Sequence, residues 1–249
     1  MIRALILIAL VALPACGSSA NECSPQASCY VKPKVTVFAA ASLQPAFDKI
    51  AERLHFSATF NYAGTQTLTS QLTQGAQADV FASADTAHMT TLQHAGLIQD
   101  APQVFAHNRL EIAVANGNPK AIHSLADLAR GGLVVVLADP SVPAGQYAQQ
   151  ALAKAGVTVK PASLELQVTA VLSKVAVGEA DAGIVYVSDV VTSGKVDGVA
   201  IPDSQNVIAA YPIATLKDAQ NKGAATDFIG FVLSPDGQSI LKASGFESA

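Results

Sequence analysis

Tryptophan is absent from the 249 residues, and all aromatic side chains together make up 6%. That argues against a sugar site built on stacked rings. Charge is scarce: 15 basic and 19 acidic residues amount to 14%, against a typical ~25%. No long basic run exists, and the net charge is −4. Nucleic acid and anionic membrane surfaces are therefore excluded as main partners. An anionic ligand would need something other than a positive patch. Catalytic signatures are missing too: there is no Gly-x-Ser-x-Gly elbow, His-Glu-x-x-His zinc site, P-loop or Rossmann glycine pattern. The histidines His55, His88, His94, His107 and His123 are scattered, and His88 and His94 stand six apart, a poor spacing for one helical face. Cysteine occurs only at Cys16, Cys23 and Cys29. Nothing marks an enzyme.

Half the residues are hydrophobic, which excludes a mainly disordered chain. The length allows one large domain or two of about 100 residues each. Residues 1–15 carry a single charge, Arg3, followed by the apolar run Ala4 to Leu13. That run is too short for a bilayer span of ~20 residues but fits a secretory signal. The segment Leu13-Pro14-Ala15-Cys16-Gly17-Ser18 resembles the bacterial lipoprotein processing site, despite Pro14 in an unusual place. The resemblance implies cleavage before Cys16, acylation of Cys16 and anchoring to the cell membrane; an ordinary signal peptide is the alternative. Loss of Arg3 would take the net charge from −4 to −5. Residues 16–33 read as a flexible tether. Within it Cys23 and Cys29 are spaced to form a local disulfide in an oxidising compartment.

Past Pro33, strands and helices alternate. Strands are expected at Lys34 to Ala40, Phe56 to Tyr62, Asp79 to Ser83, Arg109 to Ala115, Leu133 to Ala138, Ala182 to Val187 and Asn206 to Pro212. Helices are expected after Ser42, which reads as an N-cap, and over Leu68 to Gln74, Asp85 to Ala95 and Ser124 to Arg130. Others are expected over Pro143 to Ala155, Gln167 to Val177, Ala219 to Leu233 and Pro235 to Ala243. The rhythm predicts an α/β class with mixed, mostly parallel sheets flanked by helices. Ligands of such sheets sit beyond the carboxyl ends of the strands.

Three strand-to-helix junctions share a character: Phe38 to Leu43, Tyr62 to Thr67, and Asp139 to Gly145. Each is rich in small residues, and none carries Lys or Arg. A helix N-terminus offers free N–H groups and a partial positive charge, which suit an oxyanion. Charge-assisted bonds contribute roughly 1.5–3 kcal/mol each. Five to seven of them suffice for about micromolar binding of a small dianion.

Five strings resemble, in order, the molybdate-binding component of bacterial molybdate ABC importers. They are Val37 to Leu43, Ala78 to Asp85, Val142 to Ala148, Ala182 to Asp189 and Tyr211 to Ala214. The resemblance implies a two-domain, type II periplasmic-binding-protein fold with the ligand cleft between the domains. One domain would comprise 34–107 plus 190–249 and the other 108–189, with crossings near His107 to Arg109 and Tyr186 to Val190. It also implies the ligand set: hydroxyl and N–H from Ser42 and Thr65, N–H from Ala144 and Val168, and the phenol of Tyr186. Thr67 is the alternative to Thr65, because many relatives have a run of serines there. By the same resemblance the ligand is molybdate or tungstate, with no cofactor and no direct cation ligand. The chain is then an extracytoplasmic monomer that delivers its cargo to a membrane permease. Another tetrahedral oxyanion such as sulfate is the main rival. A cation receptor using Glu165, close to Val168, is a weaker one.

Overall fold

The computed structural model describes residues 34–249. The expected leader, the acylated Cys16 and the Cys23–Cys29 pair lie outside the described residues. The chain opens with β1 (Lys34–Ala40), a 3-10 turn (Ala41–Leu43), α1 (Gln44–Ala51), β2 (Ser57–Ala63), α2 (Thr65–Thr73), β3 (Val80–Ala82) and α3 (Thr86–His94). The long strand β4 (Gln103–Ala115) precedes a second 3-10 turn (Leu125–Ala129), β5 (Val135–Ala138), α4 (Pro143–Ala155), β6 (Ser163–Glu165) and α5 (Val168–Ala176). Then come β7 (Ala182–Tyr186), α6 (Val187–Ser193), β8 (Val196–Ala200), β9 (Ile208–Thr215), α7 (Lys222–Leu233) and α8 (Pro235–Ala243).

The strands run in the order β2-β1-β3-β9-β4-β7-β5-β6, with β8 on β4. β4 serves two sheets. Its residues Gln103 to Arg109 pair with β9, while Leu110 to Val114 pair with β7 and Glu111 to Ala115 with β8. β1 and β5 are near-continuous apolar runs buried on both faces, as strands covered by helices must be. A ring cluster of Phe47, Phe60, Phe105 and Phe228 fills the core of the first sheet.

Several expectations need correction. Four strand pairings are parallel and four antiparallel, so the sheets are mixed but not mostly parallel. Ser42 does not cap a helix. It lies inside the first 3-10 turn, and no side chain caps that turn or α1. The segments β6, α6 and β8 were not anticipated. β8 matters for the boundaries, because residues 196–200 pair with the same half of β4 as the second sheet. The chain therefore returns to the first sheet at β9, whose Ile208 pairs with Arg109, rather than near 190. Val196–Ala200 forms a strand by pairing with Glu111 to Ala115 of β4.

Candidate functional site

The parallel strands β1, β2 and β3 of the first sheet, and β5, β6 and β7 of the second, all aim their carboxyl ends at one cavity. It is narrow, with about 10 Å³ of room, and is lined from the first sheet by Ala40, Ala41, Ser42, Gly64, Thr65 and Ala84. From the second sheet come Val142, Pro143, Ala144, Gln167, Val168 and Tyr186. All five residues expected to hold a ligand are thus brought together, each at most 4% exposed. Thr67 is not among the lining residues.

Four helix starts converge here: the 3-10 turn leading into α1, and the starts of α2, α4 and α5. The first N–H groups of a helix have no partner within it. Thr65 and Val168 are the first residues of their helices, and Ala144 is the second of α4, after Pro143. Proline suits that place, since the amide it removes would have been unpaired anyway. The tight turn into α4 also needs Gly145, where a Cβ would collide with the Asp139 carbonyl. No Lys, Arg, Asp or Glu lines the cavity among the described residues. Glu165 turns to Ser163 Oγ at 2.7 Å and Lys174 Nζ at 2.6 Å, and is not among the lining residues.

Three hydroxyls add to the amides, and each has its proton available. Thr65 Oγ1 accepts from the Ala84 N–H at 3.2 Å, which leaves its own proton to donate elsewhere. Ser42 Oγ lies 3.0 Å from the Tyr211 hydroxyl, so Tyr211 can donate to Ser42 while Ser42 donates into the cavity. Tyr186 Oη is buried without a close hydrogen-bond partner, the Tyr211 hydroxyl being its polar neighbour. Its ring meets Tyr211 edge-on at 5.8 Å, and Tyr211 in turn meets Phe246 at 5.3 Å. These rings come from both sheets and hold the phenol in place. Burial pushes the Tyr186 hydroxyl well above its ordinary pKa, and nearby Tyr211, Tyr147 and Asp189 push it the same way, so it stays a neutral donor. Behind it, the Asp189 carboxylate accepts the Tyr186 N–H at 3.0 Å. Burial raises its pKa to about 7, and that hydrogen bond lowers it only in part.

Sequence reasoning missed Tyr211, the support of Ser42, although its string Tyr211 to Ala214 stood out. It also missed Ala84, whose amide orients Thr65. Neither carries a local chemical signature, because each acts on a residue distant in the chain.

A mixed α/β fold with one cavity at the convergent strand ends of two sheets defines a class, the solute-binding proteins of periplasmic-binding-protein type. The chain belongs to the bacterial extracellular solute-binding protein family, whose model matches residues 35–247. It is similar to the molybdate-binding protein ModA of Mycobacterium tuberculosis, with 44% identity over 252 residues covering 99% of this chain and 95% of the relative. The Azotobacter vinelandii periplasmic molybdate-binding protein superposes with a TM-score of 0.76 at 19% identity, covering 86% of this chain and 99% of the other. The sulfate-binding protein SubI of Mycobacterium tuberculosis superposes equally well, at 0.76 and 18% identity over 87% of each chain. At such identities the superpositions speak to fold, and fold alone does not choose the anion.

Proposed function

We propose that this chain captures molybdate, and tungstate with it, outside the cytoplasm and delivers it to the permease of an ABC importer. The observation that carries the reading is a small cavity between the two sheets, lined by hydrogen-bond donors and by no charged side chain, with the buried Tyr186 phenol at its wall. The ligand set is the Ser42 and Thr65 hydroxyls and N–H groups, the Ala144 and Val168 N–H groups, and the Tyr186 phenol. Seven donors at roughly 1.5–3 kcal/mol each exceed the cost of association by enough for about micromolar binding or better. A site rich in donors and free of carboxylates suits an anion that is fully deprotonated at neutral pH. Hydrogen phosphate would bring a proton, and no carboxylate lines the cavity to accept it strongly. Molybdate and tungstate share charge and shape, so the same donors serve both. The 44% identity to a molybdate-binding protein favours molybdate over sulfate.

The remainder of the reading follows from that role. Two lobes, hinged where β4 passes between the sheets and where the chain re-enters at β9, close over the anion. The protein works as a monomer without catalysis. The sequence Leu13-Pro14-Ala15-Cys16 supports a lipid anchor at Cys16. Competition calorimetry at neutral pH with molybdate, tungstate, sulfate and phosphate tests the central claim. Molybdate and tungstate should bind with similar affinity and phosphate not measurably. Sulfate binding more tightly than molybdate overturns the choice of anion.

A further inference from the structure

Two of the donor-bearing loops touch each other directly. Gln66, one residue beyond Thr65, donates its side-chain Nε2–H to the Leu166 carbonyl at 2.8 Å, linking positions 100 residues apart. Leu166 stands two residues before Val168. Gln66 Oε1 is buried and has no hydrogen-bond partner among the described residues. Gly64 approaches the same Leu166 carbonyl so closely that a Cβ would collide with it. Its backbone, at φ −58° and ψ 138°, suits any residue, so the glycine is required by proximity and not by conformation. Gln66 itself is not among the residues lining the cavity. It makes a bond between the 64–66 and 166–168 loops without facing what lies between them.

We propose that Gln66 is a latch across the cavity mouth, tying the two donor loops together and setting how long a bound anion is held. The inference rests on the oxyanion reading above and adds a positioning residue to it. An anion cannot leave until the loops separate, so the Gln66–Leu166 bond lies on the path of dissociation. Encounter takes place with the loops apart, before that bond exists, so the association rate is indifferent to it. A net hydrogen bond of ordinary strength corresponds to an about three- to tenfold change in rate.

Stopped-flow binding of molybdate, followed by intrinsic tyrosine fluorescence, tests this on the wild-type protein and on Gln66→Met and Gln66→Ala. Methionine keeps the length and the apolar stem but has no donor. Both variants should release molybdate about three- to tenfold faster, with association within about twofold of wild type. The molybdate-to-sulfate preference should be unchanged. Wild-type release by Gln66→Met, or an altered anion preference, overturns the latch. A wild-type protein that binds none of the oxyanions sinks the ligand assignment instead. The latch is then read from amide exchange of the ligand-free protein. Faster exchange across residues 164–168 in Gln66→Met supports it, and equal exchange overturns it.

Discussion

Replacing Tyr186 with Phe removes one oxygen from the cavity wall and leaves the ring packing against Tyr211 in place. The phenol makes no close hydrogen bond, and Tyr211 is the one side chain near enough to hydrogen-bond with it, so its loss removes at most a weak internal contact. The empty protein should therefore lose no stability. It should gain up to about 1 kcal/mol, to the extent that an unsatisfied buried hydroxyl was costing it. For a domain of this size that is a rise in melting temperature of between zero and about 4 °C. Binding should move the other way. A hydrogen bond to a dianion contributes roughly 1.5–3 kcal/mol, so the dissociation constant for molybdate should rise about 10- to 150-fold. The ligand-induced increase in melting temperature should shrink accordingly. Calorimetric titration and thermal unfolding of the two proteins, with and without molybdate, measure both effects. The pairing of signs is diagnostic. A structural tyrosine would lower the melting temperature of the empty protein when truncated, and a phenol remote from the ligand would leave the affinity untouched. Either outcome refutes the role given to Tyr186.

Thr65→Val should weaken molybdate binding at least about tenfold and destabilise the fold by about 1–2 kcal/mol, because it removes a donor to the anion and orphans the Ala84 N–H. Thr65→Ser should retain both functions and Thr67→Val should be silent, and titration with urea denaturation of all three checks the choice between the threonines. Gly145→Ala should cost about 1–3 kcal/mol and depress affinity, since its Cβ meets the Asp139 carbonyl at the start of α4; an unchanged melting temperature would contradict the packing. Asp189, raised to about 7 in the fold, binds a proton there that the unfolded chain has already released, so stability falls as pH rises from about 4 to 7 and levels off above. Asp189→Asn keeps an acceptor for the Tyr186 N–H and should abolish up to about 4 kcal/mol of that decline; urea denaturation giving both proteins the same slope would show that Asp189 does not titrate in this range.

The alternating strands and helices of the first 100 residues were legible because each element buries a face against its sequence neighbours. The predicted Lys34 to Ala40 matches β1, and Asp85 caps α3 through the His88 N–H at 2.9 Å. Illegible were the features made by distant partners. β8 is a strand only because β4 offers it an edge. Ser42 looked like a helix cap because serine commonly is one; its hydroxyl is instead engaged by Tyr211, 169 residues away. The five strings contain Ser42, Ala144 and Tyr186 of the cavity wall, while Thr65 and Val168 lie outside them. Small residues at strand ends permit an anion site, but they also punctuate ordinary turns, so composition by itself could not distinguish the two.

A protein with a net charge of −4 at first looks unsuited to a dianion. The geometry resolves this through distance. Charges on the surface are screened by salt within about 10 Å, and Asp189, buried behind Tyr186, is pushed by burial toward its neutral form. Inside, an anion in the proposed site would meet the amides of four helix starts and three hydroxyls at contact, where dipoles act with little screening. Those dipoles are fixed by the backbone, so they need no reorganisation when the anion arrives. Lysine or arginine side chains in the same place would hold the charge equally well, but they would also attract chloride, phosphate and carboxylates. Replacing charge with positioned neutral donors gives up long-range attraction and gains selectivity by shape and protonation.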